Sequence, residues 1–371
     1  LLIHVIVYMV FAAIVWFAIS RSGPGRHASA ALTVAACTLV GYGFARFEFP
    51  LKKFWFACVI ALIIITVVGA LIEYLFTRER VTEENFRGGV EEPKAAMPVK
   101  QQASVCLHDR YWIIIIAFFF FFQMGGMIKN VSQLYFCQAM FPDASGNYTV
   151  AYGGQLQGTL AIIGAIPTAL GMFIAVPLAN KIGKRQAIIS GAVLAMIGGT
   201  IGLIFPDRYP IVIVSFVLKA LGSTPSMYLG LALLADVYDH QEALNGFRTD
   251  GFSMMIYGAI MAGMTGLATG IMNSVLSALN YSASNISSPA IRAAMPWLFI
   301  GGETICYLGI FLIFLFMNVE RYSDLDHAAI RLDQDPNAEV GEIADNELLK
   351  AFNEQRRKNG KRELKATGSK N

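Results

Sequence analysis

Long apolar-dominated stretches punctuate the chain at 1–20, 29–45, 54–77, 111–137, 157–180, 187–205, 210–235, 251–279 and 294–318. A bilayer core needs roughly 20 apolar helical residues, within a range of about 17–25. The pattern therefore predicts nine membrane-spanning helices. Transmembrane strands would read as short alternating segments, which the unbroken Ile tract 113–116 and Phe tract 118–122 exclude. Tyr111, Trp112, Tyr209 and Trp297 stand at span ends, where interfacial aromatics anchor. The fold class is all-α and polytopic.

Composition agrees. Hydrophobic residues make up 55% of the 371 and charged residues 15%. Soluble domains run at about 45–50% apolar and about 25% charged. A net charge of +3 is too small to hold nucleic acid phosphates by itself. The five cysteines are scattered, and their spacing suggests neither a disulfide framework nor zinc.

Of the 29 Lys and Arg, 22 fall in 21–28, 78–110, 181–186, 236–250 and the tail from 319. The opposite loops hold 5, and Lys129 and Lys219 lie within spans. By the positive-inside rule the first set is cytoplasmic, and with it the C-terminus. The charged break at 78–110 then divides the chain. Residues 1–77 read as the remainder of an N-terminal helical bundle with three spans, and 78–110 as a central cytoplasmic loop. Residues 111–318 read as a C-terminal six-helix bundle, and 319–371 as a cytoplasmic tail. The tail carries a basic helix around 345–364 and is expected to be soluble or loosely membrane-associated. Six spans after a long loop suggest one half of a two-half transporter. Nine spans beginning at Leu1, inside an apolar run, are expected to be twelve less the first three.

Two loop motifs carry a resemblance. The turn 176–186 reads VPLANKIGKRQ and is similar to a cytoplasmic helix-to-helix loop of the major facilitator superfamily, with Asn180 where that motif often has Asp. Residues 233–252 read LLADVYDHQEALNGFRTDGF. They resemble the loop between the tenth and eleventh helices of the glycoside–pentoside–hexuronide:cation symporters, the melibiose-carrier-like family. Ala235, Asp236, Asp239, Glu242, Gly246, Arg248 and Gly251 match its pattern, and His240 replaces a Tyr. The stretches FTRERV (76–81) and MNVERY (317–322) resemble that family's span ends. The resemblance implies a major facilitator-type two-bundle helical fold and sugar or glycoside symport with H⁺ or Na⁺. Ala262 stands where the family places a lysine in its eleventh helix, which puts cation coupling in question.

The motif residues also have a physical sense. Asp236, Asp239, Glu242 and Asp250 surround Arg248, with Lys184 and Arg185 on the same membrane side. Ion pairs that form in one conformation and break in another bias the balance between them. These residues are the cytoplasmic gate candidates; the bland reading is a solvated loop whose pairs are each worth about 0–1 kcal/mol.

Charges inside a bilayer are costly and usually face a partner or cavity. Lys219 lies roughly 14 Å along its helix from Pro210, close to mid-membrane. Glu303 has similar depth from Ala294, so the two can pair or line a cavity. Lys129, roughly 27 Å from Tyr111, reads as nearer the outer surface, where it can snorkel. It shares a polar stretch with Gln133 and Tyr135. Lys129, Gln133, Tyr135, Lys219 and Glu303 are the substrate-cavity candidates.

No nucleophile–base constellation, metal spacing or phosphate loop marks an enzyme. The expectation is an inner-membrane secondary transporter for a small-molecule sugar or glycoside, with a uronic-acid glycoside suggested by the two lysines. It is expected as a monomer in the lipid bilayer, with no cofactor beyond a coupling Na⁺ or H⁺. Transport of a lipid-type amphiphile by the same fold, or a non-transporting membrane scaffold or sensor, stand as alternatives.

Overall fold

The computed structural model describes residues 97–334 except 283, residues 346–364, and scattered positions between 56 and 69. The expected spans 1–20 and 29–45, most of 54–77, and the stretch 76–81 lie outside the described residues. The chain divides into two units, Leu1–Lys94 and Ala95–Asn371, and the continuous helices belong to the second.

Among the described residues the elements are helical. They run α1 (Val99–His108), α2 (Arg110–Met140), α3 (Val150–Ile182), α4 (Lys184–Ile204), α5 (Tyr209–Asn245) and α6 (Asp250–Ala278). Then come α7 (Pro289–Pro296), a π-helical turn (Trp297–Gly301), α8 (Gly302–Phe314), a 3-10 turn (Val319–Tyr322), α9 (Ser323–Gln334) and α10 (Asn346–Lys358). Helices α2, α4, α5 and α6, and the run from α7 through α9, are long and apolar enough to cross a bilayer; α3 adds a sixth span if its two limbs count as one. These coincide with the spans expected at 111–137, 157–180, 187–205, 210–235, 251–279 and 294–318. The chain is an all-α, integral membrane protein.

Each turn has a local cause. Asp109 caps α2 by accepting from the Tyr111 N–H at 2.9 Å, and Thr149 caps α3 from the Tyr152 N–H. Gly183, at φ 89°, lets α3 reverse into α4; Gly246, at φ 77°, closes α5 in the left-handed conformation. Helix α3 bends by 43° between Val150–Gly171 and Phe173–Ile182. Pro177 lacks the N–H that would bond the carbonyl of Phe173, and its ring clashes with that carbonyl, so the break falls there.

Helices α4 and α5 pack most closely. Gly191, Ala195, Gly198 and Gly202 recur on one face of α4, so the backbones meet as small residues allow in membranes. A Cβ on Gly222 would lie 2.5 Å from both the Ala195 amide nitrogen and the Gly191 carbonyl oxygen. Those are backbone atoms and cannot turn aside. Gly222→Ala is therefore expected to destabilise the bundle by about 1–3 kcal/mol, measured by unfolding in detergent. An unchanged midpoint would mean the two helices can move apart.

The structure adds packing to the sequence expectation for the tail. Its basic helix is present as α10, but Leu349, Phe352 and Leu364 are buried against Ala243 of α5 and Leu325 and Ala329 of α9. Arg356, fully buried, donates to the Ala243 carbonyl, to the Arg362 carbonyl at 2.7 Å and to Asp333 at 2.7 Å. Leu349, Phe352 and Arg356 are three and four residues apart and share one face. A tail that is polar on average thus docks through one stripe.

Candidate functional site

Three charged side chains from three helices meet inside the bundle. Lys219 of α5 places its Nζ 2.5 Å from Glu303 Oε2, and Lys129 of α2 reaches Oε1 at 3.3 Å. Lys219 and Glu303 are enclosed, with side chains 3% and 4% exposed, whereas Lys129 is 24% exposed. The Lys219 contact is charge to charge: no hydrogen-bond donor reaches Oε2 among the described residues. Lys219 also donates to the Ile300 carbonyl at 3.4 Å.

The backbone around Glu303 is unusual. Between Pro296 and Gly302 the chain widens into a π-helical turn, with the Gly302 N–H bonding the Trp297 carbonyl five residues back. The turn rotates Glu303 relative to a regular helix begun at Pro289. Such bulges recur at functional sites. Two stacked rings support the lysines. Phe216 and Phe299 lie 6.0 Å apart, Lys129 sits 5.7 Å from the Phe216 centroid, and Lys219 sits 5.7 Å from that of Phe299.

The cluster borders a cavity of about 230 Å³, whose walls are drawn from α2, α3, α5 and α8. Of the sequence candidates, Lys129, Gln133, Lys219 and Glu303 line it. Gln133 is buried and donates to the Gln157 carbonyl at 3.4 Å. Tyr135 lies apart and packs edge-on against Tyr281 at 5.2 Å. Sequence reasoning missed Thr168, Phe216 and Ser223, which also line the cavity. Phe216 and Ser223 lie three before and four after Lys219, the positions that share its helical face, so that spacing was the available signal. Lys129, expected nearer the outer surface, reaches Glu303 from α2, which is 31 residues or about 46 Å long.

Two lysines and one carboxylate leave this cluster with a formal +1. In low-dielectric surroundings an unbalanced charge is expensive unless a partner arrives. Lys129, more exposed and at the longer distance from Glu303, is the less tightly held of the two lysines.

The gate candidates do not form one cluster. Lys184 pairs with Asp236 at 2.6 Å. Arg248 holds Asp239 at 2.6 Å, Asp250 at 3.1 Å and Glu242 at 3.2 Å. Arg185 donates to the carbonyls of Phe314 and Leu315 at 2.9 and 2.7 Å, closing the end of α8. Glu320 accepts from the backbone N–H groups of Lys184 and Arg185 at 2.6 and 2.9 Å, capping α4. All of these partners belong to the Ala95–Asn371 unit. Arg248 is 40% exposed. Arg248→Ala is accordingly expected to cost about 1 kcal/mol or less per pair, fading in high salt. A loss that persists in molar salt would contradict a solvated cluster.

Beside that loop, Trp112 Nε1 donates to Ser253 Oγ at 2.8 Å, and Gln241 Nε2 donates to Asp109 at 2.8 Å. Burial pushes the Cys106 thiol up, against weaker opposing hydrogen bonds from Thr249 and Ser253, so it is held as an inert thiol.

Residues 25–321 match the model of a family described as MFS/sugar transport protein. An isoprimeverose transporter of Lactiplantibacillus pentosus is 27% identical over 257 residues, which cover 67% of this chain and 49% of that protein. The chain thus spans about half the length of the curated relative it matches.

Proposed function

Since the chain belongs to the MFS/sugar transport protein family, we propose that it carries a sugar or glycoside across the membrane by alternating access, coupled to H⁺ or Na⁺. The Lys129–Glu303–Lys219 cluster at the cavity is the observation that carries this reading. The position of the cluster inside the bundle fits a site that two rocking bundles expose to either side in turn. A relative whose name gives a sugar cargo supports the substrate class. As a member of a transport family the chain is read as a carrier, not an enzyme. The excess of Lys and Arg in one set of loops supports a cytoplasmic C-terminus and an inner-membrane location.

Charge balance narrows the substrate. A glycoside bearing one carboxylate, seated beside Lys129, would bring the cluster to two acids and two lysines. A neutral sugar would leave it at +1. The substrate is therefore a uronic-acid glycoside. The same positive cluster repels a cation, which assigns the coupling ion to residues elsewhere.

Uptake of labelled neutral and uronic glycosides into proteoliposomes, with and without a Na⁺ or pH gradient, tests this. Gradient-driven accumulation of the acidic glycoside is expected, and Lys219→Ala should abolish it. Unchanged uptake by that variant would remove Lys219 from the site. Equilibration indifferent to both gradients would remove coupling.

A further inference from the structure

A second and larger cavity, about 540 Å³, opens where the tail helix α10 meets the bundle. It lies outside the charged cluster and shares no lining residue with it. Its walls come from α1 and the start of α2, the end of α5, the 3-10 turn and α10. The volume suits a small molecule, and the lining is largely polar.

His240 is the key group. It is the residue that departs from the motif, standing where the resembling family has Tyr. The side chain is buried, 4% exposed, yet lines the cavity. Its Nδ1 lies 2.9 and 3.1 Å from the two Asp326 oxygens. A carboxylate accepts, so Nδ1 carries the proton and donates. Nε2 then has no hydrogen bond to protein among the described residues and remains available to a ligand. Tyr111 and Tyr322 flank the imidazole at 5.4 and 4.9 Å between centroids, giving flat walls.

The rim supplies charge. Arg110 and Lys358 line the cavity. Asp109, the acid among the lining residues, has both oxygens occupied, one by the Tyr111 N–H and the other by Gln241 Nε2. Each oxygen keeps a second lone pair, so Asp109 can still accept from a ligand hydroxyl. Among the described residues, the guanidinium of Arg110 donates only to the Tyr111 hydroxyl, at 2.5 Å. Guanidinium groups bind phosphate through paired N–H donors. Neighbouring Gln355 and Asn359 offer amides to hydroxyls.

We infer that this cavity binds a phosphate monoester of a small polyol, with Arg110 and Lys358 on the phosphate and His240 Nε2 on a hydroxyl. Because the tail helix and the bundle both contribute walls, an occupant ties α10 to the bundle. The ester can come from a soluble sugar phosphate or from a lipid headgroup.

Calorimetric titration of the full chain in detergent distinguishes the sources. Glucose 6-phosphate and lysophosphatidic acid, which keeps one free glycerol hydroxyl, serve as probes in mixed micelles, with glucose as the uncharged control. Saturable binding of at least one phosphorylated probe is expected. It should weaken about tenfold or more in Arg110→Gln and in His240→Gln, which keeps a donor for Asp326. The component of binding that these two variants weaken should persist in Lys129→Met, because Lys129 belongs to the other cavity. Glucose 6-phosphate binding alone assigns the soluble ester, and lysophosphatidic acid binding alone assigns the headgroup. Binding of neither, binding equal to that of glucose, or binding lost only in Lys129→Met would overturn the inference.

Discussion

Glu303→Ala should lower the stability of the bundle by about 3–5 kcal/mol, more than any single change at the exposed Arg248 loop. The reason is asymmetry. Removing the carboxylate deletes one ion but strands two, and the enclosed Lys219 loses its nearest counter-charge. Lys129→Met should cost far less, because Lys129 is partly exposed and Glu303 keeps Lys219 at 2.5 Å. The double variant Lys219→Met/Glu303→Leu removes the enclosed pair together and should recover much of the stability lost in Glu303→Ala, with a coupling of about 1–3 kcal/mol. It should still fail to transport. That combination of a recovered fold and absent uptake separates a binding role from a structural one. Denaturant unfolding in detergent supplies the stabilities, and a Glu303→Ala variant as stable as the parent would show that the cluster is hydrated and weak.

Phe352→Ala should release the tail. Phe352 is fully buried where α5, α9 and α10 meet, and emptying such a site costs about 3–5 kcal/mol. Few other buried groups hold α10, so this loss falls on the docking of one helix rather than on the whole bundle. The undocked population should rise about a hundredfold or more. Limited proteolysis checks it: cleavage within Asn346–Lys358 should accelerate steeply while the melting of the bundle barely moves. Arg356→Ala should act in the same direction by freeing the Ala243 carbonyl and Asp333. Equal cleavage in parent and variant would mean that α10 is held by something other than this stripe.

Much of the fold was legible because the bilayer imposes a one-dimensional rule. A helix must be long and apolar to cross, so the six spans from 111 to 318 could be read from runs of residues. Ionisable groups in those runs stand out for the same reason, and Lys219 and Glu303 were found by it. Their pairing was open to either reading, since depth along a helix says nothing of the direction a side chain takes around it. That Lys129 also reaches Glu303 was hidden for the same reason. The π-helical turn at Trp297–Gly301, which rotates Glu303, leaves no periodic trace, as it depends on a single shift from i+4 to i+5 bonding. The gate cluster was legible as composition but not as partners. Asp236 faces Lys184, from across a helix pair, and not Arg248, its neighbour in sequence. The tail was hardest, because its average polarity hides one stripe that needs Ala243, Leu325 and Ala329 to make it meaningful.

A charge-selective sugar site built from Lys129, Glu303 and Lys219 makes one demand above the others: it must tell an acidic glycoside from a neutral one. The most direct measurement compares affinities for a glucuronide and the corresponding glucoside in the parent chain and in Lys129→Met. The parent should prefer the glucuronide, and the variant should lose about tenfold or more of that preference while binding the glucoside unchanged. A preference for the acid that survives Lys129→Met, or a parent that prefers the neutral sugar, would contradict a charge-selective site.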